Sequence, residues 1–120
     1  MGLLDGIKNA VLGLKDIEVT GNMQVGTLRK QFREQFGTEI RVYKGLNTGK
    51  GAKKAEDKAT LASICAEGMK VKDITIKKSL TVAEIEQQFK DQMGIGIQIM
   101  LPGGEQFAPN TMKLSVVKDA

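Results

Sequence analysis

Four lysines stand close together in the segment KGLNTGKGAKK: Lys44, Lys50, Lys53 and Lys54, interleaved with Gly45, Gly49 and Gly51. Glycine lets backbone amides approach an anion, so this mixture could form a phosphate cradle or a nucleic-acid contact. The P-loop pattern needs four residues between its glycines and Ser or Thr after its lysine. Here three residues separate Gly45 from Gly49, and Gly51 follows Lys50. A solvated loop is the plainer expectation. Lys70, Lys72, Lys77 and Lys78 form a second basic cluster, whose plainer role is to keep a strand edge from pairing with other chains. Binding of nucleic acid through the two clusters would weaken steeply with salt.

Other chemistry is thinly provided. The chain has no His, one Cys and no Trp, which removes histidine-based triads, imidazole metal sites and multi-cysteine zinc sites. Cys65 lies between Ile64 and Ala66 and reads as a small buried hydrophobe. Glu34, Glu84, Glu86 and Asp91 lie on helix surfaces with Lys and Arg neighbours, so they read as solvated helix faces and not as an acid–base pair. The expectation is a protein without catalytic residues, cofactor or metal. A net charge of +4, from 18 basic and 14 acidic residues, is a mild excess that compels no partner.

The elements that position these residues come in two copies. Asp16–Tyr43 and Asp73–Met100 align over 28 positions at an offset of 57. Asp16/Asp73, Ile17/Ile74, Val25/Val82, Gln31/Gln88, Phe32/Phe89, Gln35/Gln92, Gly37/Gly94 and Ile40/Ile97 are identical, and the apolar pattern stays in phase throughout. After a four-residue length change, AEDKATLASI from Ala55 matches APNTMKLSVV from Ala108. Ile17 and Val19, like Ile74 and Ile76, alternate as in a half-buried strand. Val25, Leu28, Phe32 and Phe36, and Val82, Ile85, Phe89 and Met93, recur at steps of three or four, one apolar stripe on a helix. Thr81 and Glu84 have the spacing of a capping box, whereas Gln24 and Thr27 promise a weaker start. Gly37 and Gly94 stand where a left-handed cap ends a helix. Ile40 and Val42, and Ile97 and Ile99, return to period two.

The expected class is therefore α+β, with tandem βαβ repeats at 15–70 and 71–120. Two such units, each with parallel strands and a right-handed crossover, would most simply interleave into one four-stranded ferredoxin-like or β-grasp-like sheet with both helices on one face. Two half-open units side by side are the alternative. Alternation places Glu18, Thr20, Glu39, Arg41, Tyr43, Thr75, Lys77, Gln98 and Met100 on the open face. With one aromatic, that face is a poor platform for stacking bases and a suitable one for a protein.

Strand, helix and strand followed by EDKATLASI resemble the second half of a ubiquitin-like β-grasp domain. The phrases IRVYKG and ATLASI, repeated in tandem, also resemble a little-characterised group of bacterial tandem-repeat proteins. That likeness implies a bacterial cytoplasmic origin and carries over no site residue.

Ahead of the repeats, residues 1–14 place Leu3, Leu4, Ile7, Val11 and Leu14 on one face of an amphipathic helix. It would cover the sheet, join a second copy or touch a membrane surface; its single Lys8 is too little for strong attraction to anionic lipid. No apolar run approaches the roughly 20 residues of a membrane span. The reading is a small non-enzymatic protein-interaction or assembly module of a reducing cytoplasm, with a protein partner or self-association through the N-terminal face, Arg41 and Tyr43. Nucleic-acid binding is the alternative.

Overall fold

The computed structural model describes residues 15–119, so the proposed helix of residues 1–14, with Leu3, Leu4, Ile7, Val11 and Leu14, lies outside the described residues. The elements run β1 (Ile17–Val19), α1 (Val25–Phe36), β2 (Ile40–Val42), α2 (Leu61–Ile64), β3 (Ile74–Ile76), α3 (Val82–Met93), β4 (Ile97–Ile99) and a 3₁₀ helix (Leu114–Asp119). Both halves follow the same strand–helix–strand–short helix order, and the class is α+β.

The strand pairing differs from the single four-stranded sheet expected from the pattern. Each strand pairs with its counterpart in the other repeat, giving two separate two-stranded antiparallel ladders, β1–β3 and β2–β4. The register explains why. Ile17 faces Ile76, Val19 faces Ile74, and Glu18 faces its own equivalent Thr75. Ile40 faces Ile99, Val42 faces Ile97, and Arg41 faces its equivalent Gln98. Both ladders are centred on an equivalent pair, so one pseudo-twofold axis relates the repeats. Strands paired about such an axis must run antiparallel. The relation continues past the strands: Tyr43 N–H donates to Gly96 O at 3.0 Å, and Met100 N–H donates to Glu39 O at 2.9 Å.

The helices bury the stripes read from sequence. Val25, Leu28, Phe32 and Phe36 of α1 and Val82, Ile85, Phe89 and Met93 of α3 are fully buried. With the strand residues they form one apolar cluster that draws on both repeats. Phe32 and Phe36 stack at a tilted 57° with ring centroids 5.2 Å apart, a favoured aromatic geometry.

Helix ends are tied by a device that local sequence does not reveal. The first amides of α1, Val25 and Gly26, donate to Ala59 O and Asp57 O, and those of α3, Val82 and Ala83, donate to Met112 O and Asn110 O. The returning segment of each repeat thus satisfies amides that a helix start otherwise leaves open. On α3 the capping box adds to this, with Thr81 and Glu84 exchanging hydrogen bonds, while Gln24 makes no side-chain cap. Hydrogen bonds from the Thr81 amide and hydroxyl hold the Glu84 carboxyl below its ordinary pKa. Thr81→Ala should cost about 1 kcal/mol and lower the melting midpoint by about 4 °C, read by thermal denaturation; Gln24→Ala should leave it unchanged. The Glu84 contribution has the sign of a depressed carboxyl: it is present above the unfolded pKa and fades as pH falls through the folded one.

Two residues expected on the open face lie inside. Tyr43 is 6% exposed and Met100 is fully buried. Each sits just past its ladder, where a returning segment bridges back to it: Lys54 to Tyr43 and Phe107 to Met100. Strict alternation ends there because the strand acquires a cover.

Candidate binding cleft

The pseudo-twofold makes it possible to compare the same place in two versions. In the first repeat, Arg29 of α1 lies between two carboxylates. Its guanidinium donates to Glu39 Oε1 at 2.9 Å and to Asp57 Oδ1 at 2.8 Å. The Asp57 bond, more than the Glu39 bond, holds the Arg29 pKa above its ordinary value. The helix, the start of β2 and the returning segment are thereby tied to one another, beside a cleft of 220 Å³ lined by Arg29, Glu39, Arg41, Val42, Lys54 and Ala55.

At the equivalent place in the second repeat, Arg29 is replaced by Glu86, Glu39 by Gly96 and Asp57 by Asn110. The cation and both anions are gone, a carboxylate stands where the cation was, and a cleft of 230 Å³ lies among Leu46, Thr48, Ala83, Glu86, Gln87, Lys90, Gly96, Ile97 and Asn110. Glu86 is half-buried, and one of its oxygens accepts from the outward-facing Ile99 amide at 3.4 Å. Burial pushes the Glu86 carboxyl above its ordinary pKa, against the Ile99 hydrogen bond and the charge of Lys90. For a raised carboxyl the sign reverses. Stability is greatest below the unfolded pKa and declines as pH rises through the folded one. Glu86→Gln keeps an acceptor for the Ile99 amide. It should raise the melting midpoint at pH 7 and leave it unchanged at pH 4, as a pH series of thermal melts would show.

The opposite wall of the cleft comes from the lysine-rich loop. Gly96 N–H donates to Gly45 O at 2.7 Å, and Gln98 Nε2 donates to Thr48 O at 3.5 Å. The Tyr43 hydroxyl donates to Gln98 Oε1 at 2.6 Å and anchors that side chain. A Cβ at position 96 would stand 2.5 Å from Thr48 Cγ2 and 2.9 Å from Leu46 O. Glycine at the start of β4 is therefore what lets the loop lie across the strand. Across the axis the shorter loop does the same on β2: Arg41 Nη2 donates to Gly104 O at 3.0 Å and its guanidinium lies 5.8 Å from the Phe107 ring centroid.

The structure distributes the sequence-derived candidates widely. Lys44, Lys50, Lys53 and Lys54 are exposed; Lys44 shares a groove with Glu56 and Glu67, and the loop that carries them is packed on β4. Lys70, Lys72 and Lys77 are exposed, and Lys70 shares a second groove with Asp73. Lys78 is half-buried, its amide donating to Asp16 Oδ1 at 3.1 Å. Arg41 is half-buried against the short loop and lines the cleft beside Arg29 and Glu39, and Tyr43 is a buried internal anchor. Cys65 is half-buried, with Sγ donating to Ala62 O at 3.2 Å.

Sequence alone makes Glu86 a solvated helix residue; the structure places it, half-buried, in the cleft. The signal was present in the repeat alignment as a charge reversal: Arg29 against Glu86, with Glu39 against Gly96. Among the described residues no group of His, Cys, Asp and Glu is placed to hold a metal ion, and no helix is long and apolar enough to cross a membrane. Comparison of the chain with models of protein families, with curated proteins and with solved structures found no match.

Proposed function

We propose that this protein is a non-enzymatic interaction module that holds a partner protein at the cleft between α3 and the Leu46–Thr48 segment. One observation carries the reading. In the first repeat the charge lining this place is tied up in an internal ion-pair network, Arg29 with Glu39 and Asp57, whereas the cleft at the equivalent place of the second repeat is lined by Glu86, whose hydrogen-bond donor is the Ile99 amide. Reactive groups near the core are engaged in structural hydrogen bonds, Tyr43 to Gln98 and Cys65 to Ala62, which supports binding over catalysis. Acidic residues beside the lysines, Glu56 and Glu67 by Lys44 and Asp73 by Lys70, favour a protein surface over a phosphate backbone. The reducing cytoplasm of a bacterium is the setting proposed for it.

The test is a photo-crosslinking amino acid at Gln87, compared with one at Lys30. Both sites are exposed and occupy equivalent helix positions in the two repeats. A discrete protein adduct from Gln87 and none from Lys30 is expected. Equal labelling at both sites, no adduct, or a salt-sensitive nucleic-acid complex in its place would overturn the proposal.

A further inference from the structure

The cleft beside the Arg29 network has a charge of its own. Arg29, Glu39, Arg41, Val42, Lys54 and Ala55 line a space of 220 Å³, three cations against one carboxylate. Two of those charges cancel, because Arg29 donates to Glu39 Oε1 at 2.9 Å. Asp57 also accepts from Arg29, and its side chain is 60% exposed, so water and salt screen its charge. Arg41 and Lys54 are left over: among the described residues no carboxylate pairs with either. Arg41 is held in place without being neutralised. Its Nη2 donates to Gly104 O at 3.0 Å and its guanidinium lies 5.8 Å from the Phe107 ring centroid. Both partners are uncharged, and a guanidinium has five N–H donors to place. Arg41 is also half-buried, so water compensates its charge less than that of a surface cation. The returning segment, which bridges to Tyr43, brings Lys54 to the same cleft. The second repeat has no equivalent: Gln98 stands for Arg41, Phe107 for Lys54 and Glu86 for Arg29. The fold does not require cations at these positions, and the first repeat alone carries them.

We propose that this first-repeat cleft is a binding site for a phosphate monoester, received by Arg41 and Lys54. Such a group carries roughly −1.5 to −2 charges at pH 7, which matches two unpaired cations, whereas a carboxylate answers only one. Arginine offers phosphate paired N–H groups and lysine a point charge. Glu39 in the same cleft disfavours the continuous charge of a nucleic-acid strand. The site is separate from the cleft at Glu86 and does not depend on the partner proposed there.

Amide chemical shifts of the full-length protein would be followed at constant ionic strength while inorganic phosphate is added, with acetate as the comparison. Saturable shifts at Arg29, Glu39, Arg41, Lys54 and Ala55 are expected with phosphate, and weaker binding of acetate. Arg41→Gln should weaken phosphate binding roughly tenfold or more, the scale of a charged hydrogen bond. Lys54→Gln, at an exposed residue, provides a second variant that leaves the short loop intact, and it should weaken binding severalfold. Lys50→Gln removes an equal charge outside the cleft and should change nothing. Acetate binding as tightly as phosphate, binding unchanged in Arg41→Gln and Lys54→Gln, or unsaturable shifts spread over Lys50, Lys53, Lys70 and Lys72 would overturn the site. N-acetyl-O-phosphoserine amide identifies the source of the phosphate. Binding tighter than that of inorganic phosphate assigns it to a phosphorylated protein side chain, and weaker binding assigns it to a small free anion; both results uphold the site.

Discussion

Cut after Lys70, the chain should yield two halves that are unfolded apart and structured together. Both strand ladders join one repeat to the other, β1 to β3 and β2 to β4. A separated half therefore keeps a helix of 12 residues, a bridge such as Tyr43–Lys54 and two strands with no ladder partner. Isolated helices of that length are marginal in water, and a chain of this size buries too little surface to compensate. Residues 1–70 and 71–120 produced separately should give the circular dichroism of disordered chains and collapsed amide dispersion. Mixed in equal amounts, they should recover the spectrum of the intact protein. A folded monomer from residues 1–70 alone would show that the repeats are independent domains.

Phe89→Ala should be among the most damaging single substitutions. Phe89 is fully buried in the stripe of α3, between Ile85 and Met93 on the same face. Removing its ring loses the burial and leaves a cavity, at a cost of roughly 3–5 kcal/mol. That is a large share of the roughly 5–15 kcal/mol that holds a typical domain. The urea midpoint should fall steeply with little change in slope, and the melting midpoint should drop by roughly 15 °C or more. Phe107→Ala provides the contrast. Phe107 is 58% exposed and its visible partner is Arg41 at 5.8 Å, so its loss should cost under about 1 kcal/mol. Equal effects from the two would contradict the described core.

Legibility in the sequence followed the range of the interaction. Helix stripes, the Thr81–Glu84 box and the left-handed caps at Gly37 and Gly94 depend on residues within a few positions of each other. All are present, with φ of 64° and 62° at the two glycines. Strand pairing depends on how the repeats rotate relative to one another, and the alternation of Ile17, Val19, Ile74 and Ile76 suits either sheet arrangement. Tyr43 and Met100 were misplaced because period two says nothing of the segments that fold back over a strand end. The cleft was the least legible feature, since the loop that shares it with Glu86 and crowds Gly96 lies some 40 to 50 residues earlier.

The residues at the centres of the two ladders also decide which halves belong together. Two first repeats meeting about the same axis would set Glu18 against Glu18 and Arg41 against Arg41. Like charges directly opposed across a ladder are destabilising. In the intact chain each of these charges faces a neutral partner, Thr75 or Gln98. Two second repeats would oppose only threonine to threonine and glutamine to glutamine. Pairing of the first half with its own kind therefore carries a charge penalty that its pairing with the second half does not. When chains are crowded during synthesis, a newly made first half is thereby steered to a second half and away from another first half.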